Sequence, residues 1–444
     1  MDVIGNSALG LRDKLAAGET TAEAVVQAFL ERIDEIDSAV QAWAHLDPGF
    51  ALAQARMLDE LRGRGLPLGP LHGLPVAVKD IIDTAQLPTE NGSILERGRQ
   101  PEADAALVGL LKQAGAVILG KTVTTEFAMY APGKTANPHN PAHTPGGSSS
   151  GSAAAVAARM APLAIGSQTN GSVIRPAAFC GIVGYKPSHG RISRHGVLAL
   201  SAPLDTMGVM ANSVEDAALL AESLIAYDPR DRDMRPLPRP RLLELAQEEP
   251  PLPPRFAFVR TPVWNQAGED MKEALSELAE VLGADCEAVD LPPLYDRAIA
   301  NHRAIMCADL AKNLQAYYER GEDQLSPALR GLIEEGRKVT AVDYNRALEW
   351  REVLNDGLER IFEDFDAILT APAPGEAPAG LEATGDPVFC TMWTFLGTPA
   401  VTLPLFTGSG GLPMGAQLIG ARGDDARLLR SARALTARLA EAGG

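Results

Sequence analysis

Cysteine is scarce in this chain of 444 residues. The four present, Cys180, Cys286, Cys307 and Cys390, are scattered and form no CxxC pair. That excludes a disulfide framework and a cysteine-built metal site. Positive charge is also short: 40 Lys and Arg face 57 Asp and Glu, a formal net charge of −17. A surface this acidic repels phosphate backbones, so no direct nucleic-acid partner is expected. Long apolar runs are missing as well. The longest alanine-rich run, Ser152 to Ser167, is broken by Arg159 and Pro162 and is too short for a membrane span. The first 19 residues carry no basic stretch and no sustained apolar core, which argues against a signal peptide. With no basic amphipathic helix either, no membrane partner is expected and the chain reads as cytoplasmic. What is abundant is apolar residues, at 46%, together with 42 glycines and 33 prolines. The apolar share excludes disorder and the Gly and Pro content implies many turns. Length alone, at about 150 residues per domain, suggests roughly three domains or one large α/β enzyme.

The pattern along the chain is alternating strands and helices, which predicts an α/β sheet protein. Thr20-Thr21-Ala22-Glu23 has capping-box spacing ahead of Val25, Phe29 and Ile33 on one helical face. Further helices are expected at Ala51–Arg62, Ala105–Ala114, Ser152–Met160, Val214–Ile225 with Ser213 as cap, Asp270–Leu282, and from Asp424 onward. Strands are expected at Leu74–Asp80, Ala116–Leu119, Phe256–Val259, Ala367–Thr370, Ala400–Leu403 and Gly415–Ile419. Residues 228–254, rich in Pro, Arg and Glu, read as a surface loop.

Three motifs match their patterns without the context those patterns need. Gly115 to Thr122 satisfies GxxxxGK[ST], but Ala116-Val117-Ile118-Leu119 inside it favours a strand over a phosphate-cradling loop. Gly147-Ser148-Ser149-Ser150-Gly151 satisfies GxSxG, yet the proline-rich segment before it cannot supply the strand a nucleophile elbow follows. His139 and His143 are spaced i,i+4, but Pro141 lies between them and no third ligand is evident, so no metal is expected.

The informative stretch is residues 146–184, GGSSSGSAAAVAARMAPLAIGSQTNGSVIRPAAFCGIVG. Sequence rich in Gly and Ser is often a flexible linker. Here, however, the serines flank an apolar run, Ala153–Ile165, that has to be buried. Serines pinned beside buried elements, with glycine amides free to point at a ligand, suit an anion or oxyanion site.

This block resembles the signature of the amidase-signature hydrolases. The resemblance rests on Gly146-Gly147-Ser148-Ser149-Ser150-Gly151, Gly166-Ser167-Gln168-Thr169-Asn170-Gly171-Ser172, Pro176, Phe179-Cys180-Gly181 and Lys186-Pro187. Upstream, Gly69 to Asp80 resembles the family's lysine-bearing segment, and Gly397-Thr398-Pro399-Ala400, Leu403-Pro404 and Gly411 to Gly415 also fit. The resemblance implies an amidase-signature α/β fold: one large domain over residues 1–444, with a central mixed β-sheet covered by helices on both faces. Within it we expect a signature core at about 69–210, a variable loop at about 228–254 and a substrate-specificity region at about 290–400.

It also implies a Ser-cisSer-Lys triad in which Ser172 is the nucleophile, Ser148 the bridging serine and Lys79 the base. A lysine, with an ordinary pKa of about 10.4, serves as a base only when neutral. Burial at the end of an apolar strand favours that form. Backbone amides of Thr169, Asn170, Gly171 and Ser172 would form the oxyanion hole. Arg175, Tyr130, Met129 and Gly147 are the residues expected to bind substrate. Arg175 in the Ser172-Val173-Ile174-Arg175-Pro176 form resembles malonamidase-like members, where the arginine binds a substrate carboxylate; a structural ion pair is the competing reading. The sequence departs from the family at Gln168, where Asp is usual, and at Asn170, where Gly is usual.

The expected function is thus a serine hydrolase cleaving C–N bonds of small amides, ureas or carbamates through an acyl-enzyme, without cofactor or metal. The partner would be a small-molecule substrate, and a homodimer is expected by resemblance. The alternative is the glutaminase (A) subunit of a tRNA-dependent amidotransferase, whose partner subunits would carry the tRNA. A degenerate binding protein is a third reading, and the presence of Lys79, Ser148 and Ser172 together counts against it.

Overall fold

The computed structural model describes residues 3–443. Eleven strands among them form one sheet: β1 (Trp43–Leu46), β2 (Pro75–Lys79), β3 (Val117–Thr122), β4 (Leu163–Gln168), β5 (Val183–Lys186), β6 (Thr206–Ala211), β7 (Phe256–Val259), β8 (Cys286–Val289), β9 (Ala367–Thr370), β10 (Ala400–Thr407) and β11 (Pro413–Ile419). Their order is β1-β3-β2-β4-β6-β5-β10-β11-β9-β7-β8. The sheet is mixed. β2 runs parallel to β3 and β4, and β7 parallel to β8 and β9, while the centre from β4 to β9 is antiparallel.

Every residue of β2, β3, β4 and β6 is buried. Because side chains alternate between faces, a strand buried at every position has both faces covered. Helices supply that cover, including Ser150–Ala157 on β2 to β4 and Asp425–Gly443 on β10 and β11. One hydrophobic cluster runs through the whole assembly from Ala8 to Leu435. This is the single large α/β domain anticipated above, with its mixed sheet at the centre.

Local rules account for many element boundaries. Thr21 caps the helix Ala22–Val40 by accepting from the Ala24 N–H, and Ser213 caps Val214–Leu224 through the Asp216 N–H. The matched GxxxxGK[ST] segment is a turn at Gly115 (φ 81°) followed by β3, as its apolar interior predicts. Differences have physical causes. The helix expected at Ser152–Met160 runs over Ser150–Ala157 and stops at a turn where Arg159 adopts φ 57°, ahead of β4. Residues 228–254, expected as a loop, contain the short helix Leu242–Gln247, whose Leu242 and Ala246 are buried. No helix of the described residues is long and apolar enough to cross a membrane.

Candidate active site

Lys79 is the last residue of β2. Its parallel neighbour β4 pairs Val78 with Ile165, so Lys79 emerges beside Gly166 and Ser167 at the carboxyl ends of both strands. That edge is where open α/β sheets place ligands. Lys79 is fully buried, and its Nζ lies 2.7 Å from Ser148 Oγ and 2.9 Å from Ser167 Oγ. Burial pulls its pKa well below the usual lysine value, and the nearby Asp205 carboxylate only partly opposes this. The Gly147–Ser148 peptide is cis.

After β4 the chain turns through Thr169–Val173 into the helix Ile174–Phe179. Gln168, one of the two departures from the family pattern, organises this turn. Its side-chain carbonyl accepts from the N–H groups of Val173 (2.8 Å) and Ile174 (3.0 Å), and its amide donates to Thr394 Oγ1 at 2.9 Å. An aspartate would offer the same acceptor but no donor for Thr394. Asn170, the other departure, accepts from the Thr391 hydroxyl at 2.7 Å through Oδ1, and its Nδ2 lies 3.4 Å from Tyr130 Oη. Its side chain thereby tops the cavity instead of filling it.

Ser148, Thr169, Asn170, Ser172, Arg175, Met129 and Tyr130 are among the residues lining one small chamber of about 20 Å³, room for little more than a water-sized group. Ser172 Oγ makes no hydrogen bond within the described residues; its contact with Ser148 is a shared chamber, not a bond. Tyr130 and Asn170 also border a wider outer cavity of about 420 Å³, which Arg303 and Asp386 flank at the surface. The structure therefore brings Lys79, Ser148 and Ser172 to one place, with the 169–172 backbone and Met129, Tyr130 and Arg175 around them. Ser149, the serine of the GxSxG match, is fully buried and exchanges hydrogen bonds with the Ser167 backbone. His139 and His143 each bond a backbone carbonyl, of Cys180 and Ala377 respectively.

Arg175 is 2% exposed. Its guanidinium donates to the carbonyl oxygens of Thr384, Gly385 (2.6 Å) and Gly147 (2.8 Å) and to Thr384 Oγ1 (3.1 Å). It thus ties the segment after residue 383 to the serine loop through carbonyls, and no carboxylate among the described residues pairs with it. Arg175→Ala would leave those buried carbonyls without a donor. A stability loss of roughly 2–4 kcal/mol is expected, with equal falls in activity on carboxylate-bearing and neutral amides. Thermal unfolding and a paired substrate assay check this; a selective loss on carboxylate-bearing amides would make Arg175 a substrate anchor.

Sequence reasoning missed several contributors. Ser167, the second partner of Lys79, sits inside the signature motif, in the strand β4 that the sequence reading did not anticipate. His302, Thr391 and Thr394 come from the helices Arg297–Asn313 and Val388–Leu396, more than 120 residues downstream, and no local pattern marks them.

Comparison with known proteins gives the family. A model of the family described as Amidase matches residues 24–429. The A subunit of glutamyl-tRNA(Gln) amidotransferase from Streptomyces coelicolor is 36% identical over 486 aligned positions, covering 100% of this chain and 98% of that protein. Its counterpart in Cupriavidus metallidurans is 35% identical, covering 96% and 95%. Among solved structures, a chain of a vestigial protein complex that reveals the evolutionary origins of an s-triazine catabolic enzyme superposes with a TM-score of 0.91 at 30% identity, covering 98% of both chains. The native peptide amidase of Stenotrophomonas maltophilia superposes with a TM-score of 0.86 at 28% identity, covering 98% of this chain and 97% of that one. The chain belongs to the amidase family, the amidase-signature hydrolases.

Proposed function

We propose that this chain is a serine amide hydrolase that frees ammonia from glutamine as the A-type subunit of an amidotransferase. The observation that carries the chemistry is the buried Lys79 amine 2.7 Å from Ser148 Oγ, with the unbonded Ser172 hydroxyl in the same chamber. In the neutral form, favoured by burial, Lys79 accepts the Ser148 proton while Ser148 takes the proton of Ser172. This relay needs Ser172 to turn its hydroxyl towards Ser148; such contacts are commonly long before substrate arrives. Ser172 Oγ then attacks the amide carbon. Backbone N–H groups of Thr169 to Ser172 stabilise the oxyanion, the proton returns to the leaving ammonia, and water releases the acid from Ser172.

Three features support glutamine as substrate. The chamber beside Ser172 is small and suits a primary amide, whose leaving group is ammonia. The outer cavity carries one guanidinium, Arg303, and one carboxylate, Asp386, matching the two charges of an amino acid's backbone end. The relatives at 36% and 35% identity are amidotransferase A subunits, which favours this reading over the stand-alone hydrolase expected first from the sequence. The acidic surface then assigns tRNA binding to partner subunits. Apart from Tyr130 and Asn170, the residues of this outer cavity fall in the 290–400 region, to which we assign specificity.

A stand-alone hydrolase of small amides, ureas or carbamates is the second reading, favoured by the close superposition on the peptide amidase. Ammonia release decides between them. The purified chain is expected to hydrolyse glutamine in preference to acidic amides, neutral aryl amides, ureas and carbamates, and faster once amidotransferase partner subunits are added. Turnover of the simple panel with no action on glutamine would reverse the choice.

A further inference from the structure

The turn that carries Ser172 is held from behind at two successive carbonyls. His302 Nε2 lies 2.8 Å from the Thr169 carbonyl oxygen, and the Thr394 hydroxyl donates to the Asn170 carbonyl. The N–H groups on the other side of those same two peptide units belong to Asn170 and Gly171, and neither has an acceptor among the described residues. In a trans peptide the C=O and N–H point in opposite directions, so fixing the carbonyl fixes the aim of the N–H. A donor on the carbonyl also polarises the peptide and strengthens its N–H as a donor in turn.

Both clamps are themselves fixed. His302 is 1% exposed, and burial lowers its pKa to about 4, so it is neutral near pH 7 and a proton on Nε2 can serve the carbonyl. Thr394 accepts from the Gln168 amide at 2.9 Å, which turns its own proton towards Asn170. Gln168 also holds the Val173 and Ile174 amides beyond the turn. Two peptide dipoles are thus aligned by side chains from two different helices, neither of which contributes a reacting atom.

We propose that His302 and Thr394 are positioning residues that aim and polarise the Asn170 and Gly171 N–H groups at the oxyanion formed from the substrate carbonyl. The proposal rests on reading the 169–172 turn as the oxyanion hole. Removing one oxyanion donor outright costs on the order of 10²–10³ in rate, so mis-aiming one is expected to cost about tenfold to a hundredfold.

The test is steady-state amide hydrolysis by Thr394→Val, Thr394→Ser and His302→Ala, with thermal unfolding of each and covalent labelling of Ser172 by a sulfonyl fluoride. Thr394→Val keeps the shape and loses the donor. Its kcat is expected to fall about tenfold to a hundredfold with KM changed less than about twofold, while Thr394→Ser retains near-normal kcat. His302→Ala should show the same split. A kcat within about twofold of the parent in folded Thr394→Val and His302→Ala overturns the proposal. So does a rise in KM at unchanged kcat, which would make His302, on the rim of the outer cavity, a substrate contact. If His302→Ala fails to fold, the Thr394 pair decides alone. Absence of Ser172 labelling in the parent protein would instead remove the serine-hydrolase reading, so the two failures are distinguishable.

Discussion

Ser172→Ala is expected to lower amide hydrolysis by roughly four orders of magnitude or more while leaving stability almost unchanged. The activity loss follows from removing the one oxygen in the chamber that is free to attack. Ser149 and Ser150 are nearby but their hydroxyls are buried and bonded to backbone, so neither can substitute. The stability expectation follows from the same freedom. Ser172 Oγ has no partner among the described residues to lose, so the change should stay within about 0.5 kcal/mol. Ser148→Ala should cost nearly as much activity, because members of one relay fail together and their effects do not add. It should differ in stability, since it strips Lys79 of one of its two hydroxyl neighbours. Kinetics and thermal unfolding of the two variants separate nucleophile from bridge.

Lys79→Met carries the second large effect, and its two readouts move in opposite directions. Loss of the base is expected to lower kcat/KM by roughly 10²–10⁴-fold. Stability, by contrast, should rise at neutral pH. Lys79 is buried without a direct carboxylate partner, and burial holds its pKa well below the unfolded value. The sign follows from proton counting: between the folded and unfolded pKa the unfolded chain binds more protons, so stability increases with pH across that window. Below the folded pKa the full penalty of a buried ammonium remains, and above about pH 10.4 it vanishes. Methionine removes that penalty, so its stability advantage over the parent should be largest on the acid side and fade as pH approaches 10. In the parent, kcat/KM should climb with pH along a limb set by Lys79, at a pH below the ordinary lysine range. Loss of this limb in Lys79→Met, with activity low at every pH, checks the assignment. A buried ammonium that stayed charged would instead leave activity flat across that range.

Both variants probe positions that are readable in the sequence itself, and the reason is local. Lys79 ends a short β-branched strand, and Ser148 and Ser172 sit in contiguous glycine-serine segments whose spacing is fixed by the one helix and one strand between them. The α/β class was equally legible, because Phe256–Val259 and Ala367–Thr370 are apolar runs bounded by turns, and the helix Glu269–Leu282 keeps its period. What escaped was set by tertiary contact. β1 and β8 border the sheet, and β8 is half exposed, so neither carries a buried-strand pattern. The helix Val388–Leu396 is buried at every position after Val388, so it presents no polar outer face to mark it. His302 and Thr394 act on backbone carbonyls 133 and 224 residues away, which no spacing rule reaches. Arg175 was visible as a residue of interest but its contacts were not, since two of the three carbonyls it holds, those of Thr384 and Gly385, lie 209 and 210 residues downstream.

The difference between a stand-alone hydrolase and an amidotransferase component lies in the outer cavity, where Arg303 also pairs with Glu335 at 2.6 Å. Substrate carboxylate would compete with that exposed pair, a contest of modest energy on either side. The chemistry at Ser172 is common to both readings.

The most direct measurement is therefore mapping of the covalent intermediate. The parent protein, treated with a sulfonyl fluoride and digested, should carry a single adduct on the peptide containing Ser172, at a stoichiometry near one per chain. That adduct should be absent in Ser172→Ala and should form much more slowly in Lys79→Met. An adduct on Ser148 or Ser149, or labelling undiminished in Ser172→Ala, would contradict the account.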